Sequence, residues 1–192
     1  MNTQAARENT EQMEMYEALM ARSQNHENDH VLASILASWQ SGEGALTDWL
    51  GLGEKTFNEM LAFHFPSTAP AIFSTSGKQL DEERFDERDE LHQLLSVHCA
   101  GKSPSEHWML EILINACQGM DHLWQDLGLW SRKDLSQLIQ NNFPTLAALN
   151  DKDMKWKKFL YKQLCIAEGI YTCRAPSCQV CADYADCFGP EE

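Results

Sequence analysis

SPSEHWMLEILINACQG, residues 103–119, reads as one helix with a marked beginning and end. Ser103 suits an N-cap. Pro104 fits the first helical position, where its missing N–H would have no intrahelical partner, and Glu106 stands where a capping box places its acid. Between these signals and Gly119, the apolar residues Trp108, Leu110, Ile112, Leu113, Ile114 and Cys117 surround the helix instead of keeping to one stripe. A helix that is apolar on several sides has to be covered on several sides. The stretch therefore predicts a central helix wrapped by others, and with it an all-α fold.

The flanking sequence agrees. DHVLASILASWQ (29–40) places Val31, Leu32, Ile35, Leu36 and Trp39 at helical spacing, and Gly42 ends it. EKTFNEMLAFHF (54–65) puts Phe57, Met60, Leu61 and His64 on one face, and Pro66 stops it. A weakly amphipathic helix is expected over 11–23, and a long one over 81–98 with Phe85, Leu91, Leu94, Leu95 and His98 inward. Residues 66–79 read as loop. HLWQDLGLW (122–130) reads as a short helix and turn, Ser131 caps RKDLSQLIQNNF, and Pro144 closes that element. DMKWKKFLYKQLCIAEG (153–169) is the last regular helix, with Trp156, Phe159, Leu160 and Leu164 as its buried stripe. No strand pattern or repeat is visible. The expected organisation is an irregular multi-helix domain over 1–169 with a cysteine-rich segment, 170–192, packed on it.

The chain has 192 residues, is 43% hydrophobic and carries a formal net charge of -14. That is apolar enough for a core, and acidic enough to be repelled by nucleic acid and anionic membranes. No apolar run approaches the ~20 residues of a membrane span, and the polar N-terminus lacks the apolar stretch of a secretory signal. A reducing, cytoplasmic setting follows as the expectation, in which clustered cysteines bind metal or do redox chemistry more often than they form disulfides. The basic charge is concentrated: Lys152, Lys155, Lys157, Lys158, Lys162 and Arg174 account for six of the 15 Lys and Arg residues.

That basic region runs into CRAPSCQVCADYADCFG (173–189), where four of the seven cysteines are spaced C-x4-C-x2-C-x5-C. Clustered thiolates select zinc, copper(I) or iron–sulfur clusters. A structural zinc site usually joins two short knuckles across a longer separation, whereas only Cys178 and Cys181 form such a knuckle here. One short, turning segment with four thiols suits the corners of an iron–sulfur cluster better, and C-x4-C-x2-C repeats part of the plant-type ferredoxin spacing. Three readings stand on spacing alone: a metallocluster carrier, a ferredoxin-like electron carrier, and a zinc-stabilised interaction module.

HLWQDLGLWSR (122–132), DMKWKKFLYKQLC (153–165) and CRAPSCQVCADYADCFGPE (173–191) together closely resemble the NifQ family of nitrogen-fixation proteins. The resemblance covers about 117–191 and says little about the first hundred residues. It implies a molybdenum donor for assembly of the nitrogenase iron–molybdenum cofactor. It implies an iron–sulfur precursor cluster and a molybdenum-containing iron–sulfur cluster, with Cys173, Cys178, Cys181 and Cys187 as ligands. It implies the cofactor-assembly scaffold and the nitrogenase iron protein as acceptors, with molybdate as the metal source.

Other residues carry weaker expectations. Cys165, Cys117 and His122 are candidate accessory metal ligands, each with ordinary packing as the blander reading. Lys155, Lys158 and Lys162 follow i, i+3, i+7 spacing and, with Arg174, form a candidate stripe for an anion or a partner, against a plain solvated face. No nucleophilic triad, phosphate loop or dinucleotide fingerprint is visible, so a carrier is expected and not a turnover enzyme.

Overall fold

A computed structural model describes residues 3–75, 77, 78 and 87–167, with side chains from residue 9 onward. The four cysteines of 173–187, Arg174, Phe85 and the proposed boundary at 169/170 lie outside the described residues. Nine α-helices are present among those described: α1 Thr3–Met20, α2 Asp29–Gln40, α3 Glu54–His64, α4 Arg88–Ser96, α5 Ser105–Ala116, α6 Leu123–Asp126, α7 Arg132–Asn142, α8 Pro144–Leu149 and α9 Trp156–Ala167. Short 3-10 turns at Asp48–Gly51 and Pro70–Ile72 punctuate the connections. There is no strand among the described residues, so the all-α expectation holds.

The helix that decided the fold is central. Met109, Leu110, Ile112, Leu113, Ile114, Ala116 and Cys117 of α5 are all buried. Its start is tied down more heavily than a simple capping box requires. The Glu106 carboxylate accepts the backbone N–H groups of Gly101 (2.7 Å), Lys102 (2.7 Å) and Ser103 (3.0 Å), while the Ser103 hydroxyl accepts that of Ser105 (3.2 Å). A buried carboxylate surrounded by amide donors is kept solvated by the protein itself.

Around α5 the helices pack in neighbouring pairs: α1 against α2, α4 against both α5 and α9, and α7 against α8. The predicted faces are the observed ones in α2, α3 and α9. In α4, Leu91 and Leu95 are buried, whereas Leu94 and His98 are only half-buried. Two boundaries differ from the sequence reading. The first helix lies over 3–20, and Pro144 opens α8 as well as ending α7. Proline does both because its fixed φ suits the first turn of a helix, while the residue before it is pushed out of helical geometry. Phe143 indeed has φ -134 and ψ 59.

Candidate functional site

Two buried polar arrangements stand out. The first joins α2, α3 and α5. His64 Nδ1 lies 2.5 Å from Asp29 Oδ1, and His64 Nε2 lies 2.8 Å from Ser105 Oγ. Asn28 Nδ2 donates to that same Oγ at 2.8 Å and to Asn142 Oδ1 at 2.7 Å. Asp29 Oδ2 also accepts from the Ser23 hydroxyl and from the His26 backbone N–H. These partners fix the tautomer. Asn28 fills an acceptor site of Ser105, whose hydroxyl proton turns to Nε2, and Nδ1–H then donates to Asp29. Burial holds the pKa of His64 below its ordinary value, against the pull of Asp29.

This is an Asp–His–Ser sequence of hydrogen bonds, but not a hydrolytic site. Asp29, His64 and Ser105 are 2%, 0% and 1% exposed, and the serine hydroxyl has neighbours on both sides. No substrate carbonyl can reach it. The arrangement is a polar tie inside the core.

The second arrangement joins α9 to the turn before α6. Lys157 is buried, and its Nζ donates to the carbonyls of Gly119 (2.9 Å) and Asp121 (2.8 Å) and to the Asp126 carboxylate. Asp126 is buried as well, and the Asp121 N–H reaches its Oδ1 at 3.4 Å. Burial raises the Asp126 pKa, while the Lys157 ammonium works in the opposite direction. A cavity of about 550 Å³ opens beside this pair, lined by residues 43–45, 119–121, 124–126, 128 and 129. The loop over 43–45 is held to it through Ala45 N–H, which donates to the Asp126 carbonyl at 2.8 Å. Gly44 permits that approach: its φ is +76, and a Cβ there would press on the Asp126 carbonyl.

Lys157 belonged to a basic run whose plain reading was a solvated face, and for this residue that reading fails. Lys157, Leu160, Tyr161 and Leu164 follow i, i+3, i+4, i+7 and are buried together. Asp126 likewise shares its face with Leu123. Two opposite charges at apolar positions were the signal available in the sequence.

The remaining candidates are placed as follows. Lys155, Lys158 and Lys162 are half-buried, and Lys155 immediately precedes α9, its carbonyl accepting the Phe159 N–H at 2.8 Å. Lys162 Nζ lies 3.8 Å from Met154 Sδ. Cys165 is buried on α9. Cys117 is buried at the end of α5, and burial pushes its thiol up to about 12, so it is protonated at neutral pH. His122 is half-buried before α6, its N–H donating to Gln125 Oε1 at 3.2 Å. Among the described residues, no three His, Cys, Asp or Glu side chains are grouped to hold a metal ion.

The NifQ family model matches residues 31–189, most of the chain. The chain belongs to the NifQ family. It is 44% identical to Protein NifQ of Azotobacter vinelandii over 170 residues, covering 83% of this chain and 87% of that protein. It is 36% identical to the Protein NifQ homolog of Sinorhizobium fredii over 162 residues (84% and 70%), and 34% identical to Protein NifQ of Rhodobacter capsulatus over 161 (84% and 87%). No solved structure matches the chain. Membership of NifQ places the protein in nitrogen fixation. Among the described residues no helix is long and apolar enough to cross a membrane.

Proposed function

We propose that this NifQ protein carries molybdenum to the assembly of the nitrogenase iron–molybdenum cofactor, as a donor and not as a turnover enzyme. The observation that carries the reading is the reach of the family match. It ends at residue 189 and so takes in Cys173, Cys178, Cys181 and Cys187. Four thiolates on one short segment are a donor set suited to iron and to molybdenum in sulfur coordination. Molybdate is a hard oxyanion, whereas the finished cofactor holds its molybdenum among sulfides. A carrier that loads molybdenum into an iron–sulfur cluster exchanges oxygen for sulfur before delivery. The acceptors in this reading are the cofactor-assembly scaffold and the nitrogenase iron protein, in a reducing cytoplasm where thiolates stay available. The half-buried lysines 155, 158 and 162 supply positive charge on the helix leading to the cysteines, which favours an incoming oxyanion despite the net charge of -14.

Anaerobic purification with iron, molybdenum, zinc and acid-labile sulfide counted per chain tests this directly. Iron, sulfide and molybdenum together are expected. Iron and sulfide without molybdenum would favour an electron carrier, and zinc alone in a colourless protein would favour an interaction module. Alanine at any one of the four cysteines should lower bound iron and molybdenum while the far-ultraviolet circular dichroism stays helical.

A further inference from the structure

The cavity beside Asp126 and Lys157 presents oxygen. Its lining includes the carboxylates of Glu43 and Asp121, the buried Asp126 and the amide of Gln125, together with the apolar surfaces of Trp124 and Met120. Of the positive groups nearby, Lys157 is engaged with Asp126 at the wall, and Lys78 Nζ bonds the carbonyls of Gly42 (3.3 Å) and Gly44 (3.2 Å) at the edge. Three carboxylates against two ammonium groups leave one net negative charge on the cavity and its edge. Glu43 and Asp121 are exposed. Met120 is 50% exposed, an unusual position for a large apolar side chain unless something covers it.

Charge, acceptors and an indole together suit a monocation with an apolar stem. No group of three His, Cys, Asp or Glu side chains able to hold a metal ion occurs among the described residues, so the cation is organic and not a chelated metal. The volume lies within the roughly 300–1,000 Å³ range of ligand pockets. A guanidinium is planar and weakly hydrated, pairs with carboxylates, and stacks on aromatic faces. We propose that this cavity is a docking cleft for an arginine side chain of a protein partner, with Glu43 and Asp121 taking the charge and Trp124 and Met120 covering the stem. The proposal stands on the cavity alone and does not depend on which metal the cysteines hold.

The test uses full-length protein as isolated and a capped Gly-Arg-Gly peptide, with the neutral citrulline peptide as control. Binding is followed at the Trp124 indole N–H by nitrogen-edited NMR, the signal being assigned with Trp124→Phe. The arginine peptide should shift that signal with a salt-sensitive affinity, and the citrulline peptide should not. Glu43→Gln and Asp121→Asn should each weaken binding about threefold to fivefold without changing the thermal midpoint. Equal binding of the two peptides, or no shift at millimolar peptide, overturns the proposal. Free arginine binding more tightly than the peptide would also overturn it, by making the cleft a small-molecule site. The metal content is untouched by any of these outcomes, so failure here leaves the molybdenum proposal standing.

Discussion

The Asp29–His64–Ser105 tie and the Asp126–Lys157 pair solve the same problem with different boundaries. Each buries an aspartate, and each replaces water around the carboxylate with protein donors. The first is closed on every side, its members lying at 0–2% exposure. The second forms the wall of a cavity whose rim is exposed. A closed tie can only hold helices together. A tie at a cavity wall holds helices together and also sets the charge that a ligand meets. Chemistry alone does not separate them, since the closed tie has the side chains of a hydrolase. Access does.

The largest break in this comparison comes from Lys157→Met. It leaves the Asp126 carboxylate buried without its counter-charge, and should lower unfolding free energy by about 3–5 kcal/mol in a denaturant titration. Adding Asp126→Leu should recover most of that loss, because an apolar pair needs no mutual neutralisation. A double variant as unstable as the single one would show that the carbonyls of Gly119 and Asp121, not the aspartate, are what require the lysine.

Next in size is the closed tie. His64→Leu removes the acceptor of the Ser105 proton and a donor to Asp29, with an expected cost of about 2–3 kcal/mol. This tie also has a pH signature. The folded-state pKa of His64 lies below its ordinary 6.5. In the window between the two values the unfolded chain binds more protons than the native one, so stability rises with pH. His64 should therefore contribute fully above about pH 6.5, and its contribution should be lost as pH falls through the depressed value. Calorimetric midpoints measured against pH should show this slope in the parent and not in His64→Leu.

A smaller effect sharpens the cavity side. A Cβ on Gly119 would run into the Asp126 carboxylate. Gly119→Ala should cost about 1–3 kcal/mol through that crowding, and should move the Trp124 resonance as the wall shifts. An unchanged spectrum would mean that the 119–121 turn yields freely. Smallest is Ser131→Ala, which removes the cap accepted from the Asp134 N–H at the start of α7. About 1 kcal/mol is expected, with no effect on either buried tie.

Much of the fold was legible because its signals are local. Capping residues, proline and the spacing of Leu, Ile and Phe fixed α2, α3, α5 and α9 without knowledge of their partners. Pro144 was read as a stop only, and α8 was missed, because six residues with one fully buried leucine leave almost no periodic signal. The two ties were harder for a different reason. His64 was placed on the apolar face of α3, but nothing nearby in sequence indicates that its partners are 35 and 41 residues away. Lys157 was grouped with its charged neighbours by composition, although its spacing from Leu160, Tyr161 and Leu164 belongs to the core. Periodicity was the better guide there, since a charge in an apolar stripe requires a partner and Asp126 stands in such a stripe too.

Asn28 gives the closed tie a schedule. Its side chain meets Ser105 and Asn142, 77 and 114 residues further along. At synthesis rates of about 5–20 residues per second, roughly 6 to 23 seconds separate the making of Asn28 from that of Asn142. During that interval α2 can form its own hydrogen bonds and collapse onto α1, both being local events. The polar end of α2 must stay wetted until α7 arrives. A nascent chain that sealed this end early would trap an asparagine and an aspartate without their later partners. Completion of the tie is thus a late checkpoint on the ribosome, passed only when nearly three quarters of the protein has been made.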